Sequence, residues 1–276
     1  METTTTSPSS DKLQYEPIDP LRLYFREPYK VKDKVIINQP TIQDIIDYGE
    51  REFYAMLRIF IENTTMCRVQ LWDLGIDWNK ISDYQLFVGF VPMLQPEQTK
   101  VLFGDLNFTL LKPWPRQMPN PKFDENKEED DEKNPKEIIE TILYDPVNDI
   151  ELNEADYLQI ALCLRTMFGF FPKDEKVLSF KKDVIEQERA NMKRAAEKNK
   201  DKSSSTLLPL ISSCVNHPGF KYKIEELKDI GICAFMDSVQ RLQIYESTTA
   251  LLKGAYSGFI DTKDIKPEQF NFMREI

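Results

Sequence analysis

The chain is expected to be mainly α-helical, its helices gathered into bundle-like lobes with a small β-hairpin near the N-terminus. Three observations lead there. Apolar residues recur at steps of three and four, most clearly at Ile232, Phe235, Met236, Val239, Leu242 and Tyr245, which places them on one face of a helix. Helix-start signatures stand directly before apolar stretches, as in Ser82-Asp83-Tyr84-Gln85, where a hydroxyl and a glutamine three residues on cap each other's backbone. Only nine of the 276 residues are glycine, few for an all-β fold with many tight turns or for glycine-rich phosphate loops.

Residues 1–17 form a Thr/Ser/Pro tail, of the composition that stays disordered. Leu21–Phe25 and Lys34–Ile37 flank a polar stretch and suggest a hairpin; an arm lying on the helices is the alternative. Thr41 is a good N-cap with Asp44 at the capping-box position. Ile42, Ile45, Ile46, Gly49, Phe53, Leu57 and Phe60 then trace one helical face. The next helix runs from Thr65 to Leu74 and ends at Gly75. Ser82 opens the apolar helix LFVGFVPML, and Pro96–Phe103 is one more short helix. Asn107–Leu111 reads as a strand, and a proline-rich stretch from Pro113 to Pro121 closes an N-terminal region spanning 18–122.

Residues 123–137, FDENKEEDDEKNPKE, are an acidic run that repels itself and reads as a solvated linker. It lacks the glycine and ligand spacing of a calcium loop. In the C-terminal region, 138–276, a strand pair is expected around Tyr144–Asn148, and Asn153 caps a helix ending at Gly169. A charged helix from Lys176 to Lys200 has apolar positions only in its first half, so its second half should project into solvent or fill a groove in an assembly. Ser203–Ser205 break it. Leu207–Val215 is a short apolar helix that stops at His217-Pro218-Gly219.

Hydrophobic residues make up 41% and charged residues 30%, as in an ordinary globular protein. The formal net charge of −10 repels phosphate backbones, so no nucleic-acid partner is expected. The basic residues of the charged helix are interleaved with acids and read as a solvated face. No apolar run approaches a membrane span and the N-terminus carries no signal peptide, so the expected location is the cytoplasm. Cys67, Cys163, Cys214 and Cys233 are scattered among apolar residues, as buried reduced thiols are.

No catalytic, cofactor or metal site is expected. The only histidine is His217, so any Cys-His or Ser-His chemistry would have to use it, with Cys214, three residues upstream, as the thiol on offer. The other reading is a ring at a helix end, favoured there by the helix dipole, beside a packed thiol. The four cysteines and one histidine have no zinc-ligand spacing, and glycine-rich phosphate, GxSxG and HExxH motifs are all absent. Trp114, between two prolines, is either a partner anchor or part of a packed loop. The stripe Ile232, Phe235, Met236, Val239, Leu242 and Tyr245 remains. It is either the core of the C-terminal region, the commoner fate of such a face, or a surface for a partner.

Two blocks, DPLRLYFREPYKVKDKVIINQPTIQDIIDYGEREFYAML (19–57) and NHPGFKYKIEELKDIGICAFMDSVQRLQIYESTTALLKGAYSGFIDT (216–262), resemble tail-module proteins of long-tailed bacteriophages of gut bacteria. Together they cover about a third of the chain. Proteins of this size and helical character in such modules resemble tail assembly chaperones. That resemblance implies a helper in the cytoplasm of the bacterial host, which coats the helical tape-measure protein and recruits tail-tube subunits, with homo-oligomerisation left open. A structural virion component of the tail or neck is the alternative, since the chain is longer than many such chaperones and has a large N-terminal region of its own.

Overall fold

The computed structural model describes residues 18–120, 135–198, 205–263 and 265–275. The fold is mainly α-helical, with a two-stranded sheet near the N-terminus and a three-stranded antiparallel sheet in the middle of the chain. Residues 123–134 of the acidic run and the N-terminal tail lie outside the described residues; the run's last residue, Glu137, already belongs to a strand.

The first departure from expectation is at Leu21–Phe25. Asp19 accepts the Leu21 amide at 2.9 Å and Pro20 sits at the first helical position, so this stretch is a short helix, α1 (Pro20–Tyr24). The hairpin exists one step later, between β1 (Tyr29–Lys32) and β2 (Val35–Ile37). Thr41 and Asp44 form the expected reciprocal cap and open α2 (Ile42–Tyr48). The predicted continuous face then breaks. Gly49 adopts φ +94°, α2 ends there, and α3 (Glu50–Ile61) begins as a separate helix. Ile46, placed on the inward face by periodicity, is exposed within α2.

The helix after Thr65 is α4 (Arg68–Asp73), with Gly75 at φ +75° beyond it. Ser82 and Gln85 cap α5 (Asp83–Phe90) as expected, and α6 (Pro96–Phe103) follows. Asn107–Leu111 is not a strand. The Asn107 side chain accepts the Thr109 amide at 2.9 Å and holds a 3-10 turn over Phe108–Leu110. The proline-rich stretch is the strand instead: β3 (Lys112–Pro119) pairs along its length with β4 (Glu137–Asp145), which pairs with β5 (Ile150–Leu152). Pro113, Pro115 and Pro119 alternate, so their missing amides all lie on one side, and β3 is a sheet edge where that costs no ladder bond.

The acidic segment therefore joins two paired strands. One core cluster takes Leu57, Phe60 and Phe87 from before it and Tyr157, Leu164 and Phe235 from after it. Its centre is aromatic: Phe60 meets Phe103 at 4.9 Å, and Phe87 stacks on Tyr157 at 4.7 Å between centroids. Helix α7 (Glu154–Phe168), capped by Asn153 and ended by Gly169 in a left-handed conformation, crosses this core. The Tyr84 hydroxyl donates to the Leu152 carbonyl at 2.9 Å and ties α5 to β5.

Helix α8 (Lys181–Lys198) starts later than the sequence suggested. Phe180 has φ +56°, a conformation that ends helical propagation toward the N-terminus. The chain before it is pinned by side chains instead: Asn63 donates to the Lys173 carbonyl at 2.9 Å, and Asn79 to that of Val177 at 2.7 Å. A second small cluster, Cys67, Val69, Leu71, Trp78 and Ile185, joins α4 to α8. Helix α9 (Leu207–Val215) matches its predicted span, and α10 (Ile232–Tyr256) carries the apolar stripe.

Candidate partner-binding surfaces

The stripe on α10 divides. Ile232, Phe235 and Val239 are buried in the main core, and Met236 and Leu242 are half-buried against it. Tyr245 is 50% exposed. The N-terminal half is thus committed to the protein's own interior, where α10 packs on α7. The C-terminal segment folds back over part of the rest. Thr248, buried in the second half of α10, donates to the Gln269 carbonyl at 3.2 Å, and Arg274 reaches the Thr248 hydroxyl at 3.1 Å. Phe272 meets the Tyr245 ring edge-on at 6.1 Å. Of the six stripe residues, Tyr245 alone is exposed.

The larger open apolar surface lies elsewhere. A groove of about 640 Å³ runs between α3, α4 and α5, lined by Ala55, Ile59, Leu71, Leu74, Leu86, Gly89, Phe90 and Met93 among others. Leu74 and Met93 are 74% and 67% exposed at its edges. The charged side chains on its walls, Arg58 and Glu62, pair with each other. Gly89 interrupts α5 with nothing within 4 Å of where a Cβ would stand. Glycine inside a helix costs about 1 kcal/mol relative to alanine, and here no neighbour in the chain requires it. Sequence periodicity passes over this surface because Leu74, Ile76 and Met93 follow the ends of their helices. The usable signal was a glycine within a run of apolar residues.

The residues that could carry chemistry are dispersed. His217 lies just beyond α9, where its Nδ1 accepts the Gly219 amide at 2.9 Å and its Nε2 faces a Glu246 carboxylate oxygen of α10 at 3.0 Å. That arrangement is satisfied by the tautomer with the proton on Nε2. The ring therefore bridges to α10 through a specific partner. Cys214 is buried, and no side-chain hydrogen bond joins it to His217 among the described residues. Burial pushes its thiol above the ordinary range. Burial, with Glu62 beside it, pushes Cys67 up to about 12, and burial does the same to Cys163. Cys233 is also raised, by burial and then by Asp237. These thiols are protonated at neutral pH and so are poor nucleophiles. Among the described residues, no group of three or more His, Cys, Asp or Glu is placed to hold a metal ion, and no helix is long and apolar enough to cross a membrane. Trp114 is exposed on β3, with its ring edge toward Tyr144 at 6.4 Å. Comparison with protein families, curated proteins and solved structures finds no match to this chain.

Proposed function

We propose that this chain is an assembly protein of a phage tail, chaperone-like in action. It binds an apolar helical face of the tape-measure protein in the host cytoplasm and recruits tail-tube subunits to it. The resemblance of residues 19–57 and 216–262 to tail-module proteins supplies the setting. The observation that carries the reading is the groove between α3, α4 and α5, lined by uncharged residues apart from the Arg58–Glu62 pair and edged by Leu74 and Met93. Such a groove suits an amphipathic helix laid into it by its apolar anchors. The α10 stripe is the poorer candidate, because using Phe235 or Val239 for a partner would require opening the core.

The test is co-expression with the longest helical protein encoded beside this chain, with complex mass measured by size exclusion and light scattering. A defined complex is expected, lost on Leu74→Asp with Met93→Asp. Both side chains are exposed, so that variant should retain its fold, which circular dichroism checks. Two separate peaks for the wild-type pair sink the chaperone reading. Recovery of the chain from purified particles by mass spectrometry would then favour a structural virion component.

A further inference from the structure

The α4 wall of the groove does not rest on the main core. Cys67, Leu71, Ile81 and Leu86 line the groove, and all four belong to or pack against the second cluster, which is built around Ile185 of α8. Ile185 itself does not line the groove. Helix α4 lies between the two. Cys67, Leu71 and Leu74 share its groove face, while Val69 and Asp73 share the other. Among the elements of the fold, α4 makes its most extensive contact with α8. That contact is largely electrostatic. Ile185 is the buried residue α8 supplies. Around it Lys181 pairs with Asp77 at 2.5 Å, Arg189 with Asp73, and Glu188 with Arg68 at 2.7 Å. Arg68 also holds Glu175 at 3.1 Å, and Lys181 stands 5.6 Å over the Trp78 ring. A segment with so few buried apolar contacts opens more easily than the core, and salt screens ion pairs while leaving apolar contact in place.

We propose that Ile185 and its clasp of ion pairs are positioning residues for the groove. Docked behind α4, helix α8 fixes the wall against which a partner lies, so α8 docking and groove occupancy favour one another. That a partner helix uses the groove rests on the tail-assembly reading above; the dependence of α4 on α8 does not. Releasing α8 strips the six-residue α4 of its principal packing neighbour, and a helix that short does not persist on its own. The groove then loses Leu71 and Leu74 as a fixed wall. By linkage, whatever occupies the groove must in turn hold α8 in place, although it lies on the opposite face of α4.

The test is amide hydrogen exchange of the full chain, read by mass spectrometry on peptides from α4, α7 and α8 at low and high salt. High salt should speed exchange in α4 and in residues 181–189 together by about tenfold, with α7 unchanged. Ile185→Asp should do the same at low salt. Glu188→Lys, which sets a cation against Arg68 at a half-buried site, should act in the same direction, and with the salt series it decides the matter if Ile185→Asp unfolds the whole chain. In the complex with the long helical protein encoded beside this chain, residues 181–189 should be protected, which a purely structural α8 would not show. Ile185→Asp should weaken that complex about fivefold or more, with Leu74 and Met93 intact. Exchange in α4 that ignores salt and Glu188→Lys, or that moves only together with α7, overturns the proposal. So does a complex that forms equally well with α8 released. If the wild-type chain forms no complex, the tail-assembly reading fails, and exchange in the free chain still decides whether α8 holds the α4 wall.

Discussion

Replacing Gly231 with alanine tests how the C-terminal helix is seated on the N-terminal region. Gly231 is the N-cap of α10 and forms an isolated antiparallel bridge with Thr41. Its φ of −65° and ψ of 145° are open to any residue, so backbone strain is not the obstacle. Space is. A Cβ there would overlap the Gln39 Oε1 atom and lie 2.5 and 2.7 Å from Arg26 Cγ and Cδ. Gln39 is itself buried, donating to the Leu23 carbonyl at 2.6 Å and accepting the Cys233 amide at 3.3 Å. Moving it breaks those bonds. Each buried group left without its partner costs about 1–3 kcal/mol, and alanine is a poorer N-cap than glycine by up to about 1 kcal/mol. We expect a loss of about 2–4 kcal/mol, read from urea unfolding followed by circular dichroism. In a Gln39→Ala background the carboxamide is gone, so Gly231→Ala should cost at least about 1 kcal/mol less than in the wild type. A wild-type effect below about 0.5 kcal/mol, or strict additivity of the two changes, would refute the reasoning.

Three further outcomes follow from the same geometry. Glu50 accepts the Thr206 amide and hydroxyl, both at 2.6 Å, and the Leu207 amide at 2.9 Å, which latches α9 to α3. Burial pushes its carboxyl up, but these bonds and one from Ser205 outweigh burial and leave the pKa lowered. Since the unfolded carboxyl titrates at the higher, ordinary value, the latch contributes fully above that range and is lost as pH falls through the folded value. Glu50→Gln should therefore cost about 1–2 kcal/mol at neutral pH, and its urea midpoint should converge on the wild type in acid. A gap that stays constant with pH would count against the latch. Gly89→Ala should stabilise the free protein by up to about 1 kcal/mol, because its Cβ meets nothing, while weakening any partner held in the α3–α5 groove. A destabilised variant would mean that the glycine serves the chain's own packing. Cys67 and Cys163 should resist alkylation in the native protein at mildly alkaline pH and react once it is unfolded, as read by peptide mass spectrometry. Rapid native labelling of either would contradict their burial.

Some of this structure could be read directly from the sequence. The caps at Thr41, Ser82 and Asn153 were legible because capping joins residues three apart, and both partners are visible in the text. The spans Pro96–Phe103 and Leu207–Val215 were legible for a related reason: local signals mark both ends. The errors fell where a single local residue overrode a pattern. Gly49 cut one apolar face into two helices, and Phe180 delayed α8. At Leu21–Phe25, an apolar run flanking a polar stretch suggested one side of a hairpin, but Asp19 and Pro20 had already set a helical turn.

What the sequence determined by itself was the helical character, the starts of α2, α5, α6, α7 and α9, and the existence of an apolar stripe on α10, since all of these rest on interactions within one or two turns. Only the tertiary structure decided what each face meets. It paired β3 with β4 across the acidic run and bridged Thr41 to Gly231. It buried Ile232, Phe235 and Val239, while leaving Leu74, Met93 and the end of α8 uncovered. Periodicity says that a face must be apolar, but which apolar faces find one another is settled by the packing of segments far apart in the chain, and that information is spread over all of them at once.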